Sequence, residues 1–136
     1  MWDFFRSMFL GQRSVRTSRE QARPGVQLLA SVLVCFPEIE AVSYDPCEGM
    51  LTMDFFVRAQ LSPAEAEAFT AFLGESIETF QMIEGSVVTA MDFSYERHEG
   101  LTMLHLARRM DEVTEQEIGL AVQLLVDRFG EALLVD

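Results

Sequence analysis

The sequence predicts an α+β fold: two ββα repeats forming one four-stranded antiparallel sheet, with helices packed mainly on one face. A helix and an amphipathic amino-terminal segment precede the repeats. Three observations carry this. Residues 51–60 alternate strictly, with Leu51, Met53, Phe55, Val57 and Ala59 on one face and Thr52, Asp54, Phe56, Arg58 and Gln60 on the other, the period of a half-buried strand. Ser62-Pro63-Ala64-Glu65 and Thr114-Glu115-Gln116-Glu117 each read as a capping box opening a helical stripe. The same motifs also recur. Glu48-Gly49 returns as Glu99-Gly100 at an offset of 51, Leu51-Thr52-Met53 as Leu101-Thr102-Met103 at 50, Arg58 as Arg108 at 50, and the capping box at 52.

In chain order, residues 1–10 hold one Trp and three Phe. On a helix, Trp2, Phe5, Met8 and Phe9 share one side, making them a candidate tether. Residues 12–23 are polar and read as a linker or exposed helix. Pro24 suits a first helical turn. Val26, Leu29, Val32, Leu33 and Phe36 then follow at helical spacing up to Pro37. Residues 39–44 are β-prone, and Asp45-Pro46-Cys47-Glu48-Gly49 is a turn by composition. After the strand from Leu51, a helix from Ser62 carries Ala66, Phe69, Leu73, Ile77 and Phe80, and Gly85 ends it. A third strand is expected over 87–95, a turn over 96–100 and a fourth strand over 101–109. The last helix shows Ile118, Ala121, Leu125 and Phe129, with Gly130 behind it. The expected organisation is an aromatic, arginine-rich segment and linker over 1–23 and a single α+β domain over 24–136, with repeats at about 38–85 and 86–136. In element order and acidity the chain resembles the type III secretion chaperone-like fold, whose members are small, acidic and dimeric and usually carry a third strand before the middle helix. The resemblance implies a fold plan and a dimer, and no functional residue is carried over from it.

Composition narrows the function. The 136 residues carry a net charge of −12, and all ten basic residues are arginine. Residues 1–23 hold five arginines against Asp3 and Glu20, and residues 24–136 hold five against twenty acids. So acidic a body is not expected to bind nucleic acid. At 49% hydrophobic residues the chain is too apolar to be disordered. Without lysine there is no Schiff-base chemistry. Cys35 and Cys47 form no C-x-x-C pair and read as small apolar fillers. No apolar run approaches the ~20 residues of a membrane span, and the amino terminus lacks the pattern of a secretory signal. A cytoplasmic location is expected.

Candidate chemistry is sparse. No phosphate-loop, dinucleotide, zinc-protease or nucleophile-elbow motif occurs, so neither a catalytic residue nor a cofactor is assigned. His98 reads as a solvated turn residue. His105 is expected on the core face between Met103 and Ala107, a candidate pocket residue, with Asp54 on the opposite strand face. A metal site combining Asp45, Cys47 and Glu48 with His98 and Glu99 is disfavoured, because the two hairpin tips should point to opposite ends. The sheet face away from the helices is expected to show Val42, Tyr44, Phe56, Leu104 and Leu106, an apolar patch that needs a cover. A second copy is the default cover. The expected function is a non-enzymatic, cytoplasmic protein–protein interaction module (adaptor, regulator or chaperone-like) acting as a homodimer with an unidentified protein partner. The alternative is a small-molecule-binding protein or enzyme with a pocket near His105. Weak contact of residues 1–23 with an anionic membrane surface is a further expectation.

Overall fold

The computed structural model describes residues 30–89 and 91–135, together with the backbone of 14–17. Trp2, Phe5, Met8 and Phe9 lie outside the described residues. The elements are β1 (Ser14–Thr17), α1 (30–35), β2 (Ala41–Asp45), β3 (Met50–Val57), α2 (Pro63–Ile83), β4 (Asp92–His98), β5 (Leu101–Arg109) and α3 (Glu115–Phe129). The strands form one sheet in the order β1-β2-β3-β5-β4. Its four strands β2–β5 are antiparallel neighbours with helices on one face, as the two-repeat pattern predicts. β1 adds a fifth strand, parallel to β2, from within the polar stretch 12–23. Four residues with no apolar alternation left no sequence signal for it. A parallel neighbour requires a crossover, and α1 lies on that crossover: its Val32 and Leu33 are buried in the same core as α2 and α3.

Each helix begins and ends where its chemistry dictates. In α2 the capping box is complete: Ser62 Oγ accepts the Glu65 N–H at 3.1 Å, and Glu65 Oε1 accepts the Ser62 N–H at 2.9 Å. In α3 only half forms. Thr114 Oγ1 accepts the Glu117 N–H at 3.1 Å, but the Glu117 carboxylate turns inward, toward Arg108 and Gln81. Helix α1 stops before Pro37, with the Phe36 N–H donating to the Val32 carbonyl. The turn after β2 is held by the Cys47 N–H donating to Asp45 Oδ1, and Gly49 supplies the φ of +69°.

One core lies between sheet and helices. Met53, Phe55, Leu104 and Leu106 meet Phe69, Leu73 and Ile77 of α2 and Ile118, Val122 and Leu125 of α3. Phe69 packs edge-on against Phe129 at 4.9 Å. Each fully buried side chain of this size contributes about 1.5–3 kcal/mol. The carboxy-terminal segment closes the sheet beside β3. Where β2 runs out, the Arg58 N–H donates to the Ala132 carbonyl and the Leu134 N–H to the Phe56 carbonyl.

Two sequence expectations shift. The third strand starts at Asp92 rather than Val87, because the preceding segment is tied to the end of α2: the Ser86 N–H donates to the Gln81 carbonyl and the Thr89 N–H to Gln81 Oε1. The other shift is the face each residue of β5 presents. Antiparallel register pairs Met53 with Leu106 and Phe55 with Leu104, so both leucines face the helices and His105 faces away. The left-handed glycines of the two turns, Gly49 and Gly100, mark the structural offset as 51. The Leu-Thr-Met match at 50 is out of step by one, and a one-residue slip moves every side chain to the other face. Arg58 and Arg108, matched at 50, accordingly differ: the first is exposed, the second buried.

Candidate functional site

The sheet face opposite the helices carries the densest polar constellation. Asp54 of β3, His105 of β5 and Glu96 of β4 all project from it, since Asp54 pairs with His105 and the Glu96–Met103 pair lies two residues along. His105 Nδ1 lies 2.7 Å from Asp54 Oδ1, and Nε2 lies 2.9 Å from Glu96 Oε2. His98 stands 3.7 Å from the other Glu96 oxygen. Burial pulls the His105 pKa down, but the hydrogen bonds and charges of Asp54, then Glu96, outweigh it and hold the imidazole above its ordinary value. With a carboxylate against each ring nitrogen, His105 ties together three strands.

These positions correct the sequence reading. His105 and Asp54, expected on opposite faces, are direct partners. Val42, Leu104 and Leu106, expected on the outer face, are buried in the core beneath the helices, and Tyr44 packs against that core. The reason is again register: Val42 pairs with Met53 and Tyr44 with Leu51 on the helix side. Of the five proposed interface residues, Phe56 alone projects outward, beside Met103. An acid set between Met53 and Phe55 in an apolar strand was the one sequence signal for the Asp54 site.

Burial on this face is unexpectedly deep. Phe56 is 1% exposed, Met103 0% and Asp54 2%, although α1, α2 and α3 all contribute to the core on the other side.

A second polar network lies in the interior. Arg108 of β5 makes a two-pronged pair with Glu117 of α3, Nη2 to Oε1 at 2.7 Å and Nε to Oε2 at 3.1 Å. Gln81 of α2 donates to Glu117 Oε1 at 2.6 Å, and Arg108 Nη1 reaches Thr89 and Glu112. Every element of this cluster is matched with a partner, which is what a buried charge pair requires. It joins strand to both helices.

The described residues line cavities on both sides of the chain's first hairpin. A narrow apolar one of about 70 Å³ lies between α1 and the start of α3, at Val32, Phe36, Leu51 and Ile118. An open cleft of about 350 Å³ at the β2–β3 turn carries Asp45, Glu48 and Asp92. Neither includes His105. No group of three or more His, Cys, Asp or Glu among the described residues is placed to hold a metal ion; the turns bearing Glu48 and Glu99 sit at opposite ends of the β3–β5 pair. Cys35 and Cys47, expected as apolar fillers, are exposed free thiols. No helix among the described residues is long and apolar enough to cross a membrane.

No protein-family model, curated protein or solved structure matches the chain.

Proposed function

We propose that this chain is a non-enzymatic, cytoplasmic protein–protein interaction module that works as a homodimer, joined through the outer edge of β4. The observation that carries the reading is the position of β4. It is the last strand of the sheet, and no strand among the described residues pairs with its outer edge. An unpaired edge presents a row of backbone donors and acceptors to another chain. The segment leading into it adds apolar surface: Met82, Ile83, Val87 and Val88 are all exposed. The strand is also self-complementary. Two antiparallel copies centred on Tyr95 would oppose Asp92 to His98 and Phe93 to Arg97, a carboxylate facing an imidazole at each end and an arginine beside a ring. A twofold contact of this kind closes on itself and produces a dimer rather than a fibre.

The small-molecule reading draws less from the geometry, because both nitrogens of His105 are engaged by carboxylates.

Light scattering coupled to size exclusion at micromolar concentration tests the proposal. The native chain is expected at dimer mass, and the Val87→Lys/Val88→Lys double variant at monomer mass with unchanged far-ultraviolet circular dichroism. A native monomer at high micromolar concentration, or a dimer indifferent to both substitutions, overturns it.

A further inference from the structure

We infer that the outward face of the α2–α3 pair docks a cationic amphipathic helix of a partner protein, its apolar side over Phe72, Leu120 and Leu124 and its arginines or lysines against Glu67, Glu75, Glu78 and Asp127. This names the partner's chemistry for the interaction module proposed above and rests on that reading, but not on the β4 dimer.

The two helices run antiparallel, which follows from where they touch. Gln81, near the end of α2, bonds Glu117 in the first turn of α3, and Phe69, in the first half of α2, packs on Phe129 at the end of α3. Between these points Glu117, Leu120, Leu124 and Arg128 follow at helical spacing, along the side of α3 nearest α2. Leu120 and Leu124 pack on the core but are only partly buried.

On α2, Phe72, Thr79 and Ile83 share one line of the helix. Phe72 is 50% exposed and Ile83 77%. The Phe72 ring is braced rather than loose: it lies 6.4 Å from Phe69, which stacks edge-on against Phe129. A large ring held in place and half in water is the kind of residue that anchors an interface. It stands three turns from Ile83, about 16 Å along the helix, and so well away from the segment that leads into β4.

Charge decides what covers this line. Residues 63–84 hold five glutamates and no basic residue. Glu67, Glu75 and Glu78 form the neighbouring line of α2, exposed and with no cation against them among the described residues. Asp127 adds an exposed acid on α3. The one cation in either helix, Arg128, lies over the Phe129 ring, 5.0 Å from its centroid. A second copy of this face, or an anionic membrane, would set like charges together. A helix with an apolar stripe flanked by arginines or lysines matches both features at once. The acid rim steers and orients it, and the apolar seam supplies the buried area.

The probe is a fluorescein-labelled peptide of about 18 residues, five helical turns, with leucines along one side and arginines on the rest. One control shuffles the same residues to remove the stripe, and the other keeps the stripe and replaces arginine by glutamate. Fluorescence anisotropy with the full chain is expected to show the striped cationic peptide binding about tenfold or more tighter than either control. Phe72→Ser and Glu75→Gln/Glu78→Gln are each expected to weaken that binding about tenfold with unchanged far-ultraviolet circular dichroism, and the second also to flatten its salt dependence. Light scattering on the same variants reads the β4 dimer separately, and their mass is expected to equal that of the native chain. Equal affinity for the striped and shuffled peptides reduces the face to non-specific acidity and overturns the proposal, as does binding indifferent to both variants.

Discussion

Asp54 and His105 face each other across the central β3–β5 pair, 2.7 Å apart, at the point where the two halves of the molecule exchange. At the offset of 51 marked by Gly49 and Gly100, Asp54 of the first half corresponds to His105 of the second. The two are also paired in register, so the pseudo-twofold axis relating the repeats passes between them. At a symmetric position an acid meets a base. That asymmetry converts a contact that would be repulsive between two identical acids into an ionic one, and Glu96 adds a second acceptor on the far side of the ring.

The ionic clip makes stability depend on pH. The folded-state pKa of His105 lies above its ordinary value. Its contribution is therefore complete below the unfolded value near 6.5 and is lost as pH rises through the folded value. Thermal melts from mildly acidic to mildly alkaline pH should show a falling melting temperature on that rise, and His105→Gln should flatten this part of the profile. A steeper loss in the variant than in the native chain would count against the clip.

Arg108 and Glu117 form a buried pair, 2.7 Å apart, in which each is the other's main charged partner. Arg108→Met strands the buried Glu117 carboxylate, at an expected cost of about 3–5 kcal/mol in urea unfolding, and Glu117→Gln, which leaves Arg108 the more exposed Glu112, is expected to cost less. Replacing both by Met should cost less than the sum of the single changes, because no charge is then stranded. Additive losses would show that the pair does not act as a unit.

Thr102 is buried on the helix face, where its hydroxyl donates to the Ala59 carbonyl at 2.7 Å and accepts the Leu61 N–H at 3.1 Å. These bonds fix the link between β3 and α2. Thr102→Val keeps the shape and strands both backbone groups, so a loss of about 1–3 kcal/mol is expected. Hydrogen exchange at the Leu61 amide should accelerate ahead of exchange in β3; unchanged protection there would remove this role.

Gly100 closes the two-residue β4–β5 turn with φ of +68°. Nothing lies within 4 Å of a Cβ built there, so any penalty is conformational rather than steric. Gly100→Ala is expected to lower stability by about 1 kcal/mol in equilibrium unfolding, whereas an unchanged midpoint would mean the turn accepts another geometry.

Local signals were legible wherever a single element decides them. The alternation in β3, the caps at Ser62 and Thr114, Pro37 after α1 and the glycines at both turns are properties of a few adjacent residues, and each sits where the pattern places it. The two-unit plan was also legible, because recurring turns and caps preserve element order even when spacing drifts by a residue.

Register was not, and the candidate site depends on register. Counting from the Leu-Thr-Met match put His105 toward the helices and Leu104 and Leu106 outward; counting from the turn glycines reverses all three. The difference is one residue, and only the pairing of β5 with β3 decides it, since each strand alone is apolar enough on both faces to satisfy either choice. The same holds for β1, whose four residues have no period of their own and become a strand because β2 offers an edge and α1 the crossover. Glu117 marks the division most sharply. Its sequence spelled a helix cap, and within the fold a buried Arg108 claims its carboxylate, because an unpaired guanidinium in the core costs more than an unfinished cap.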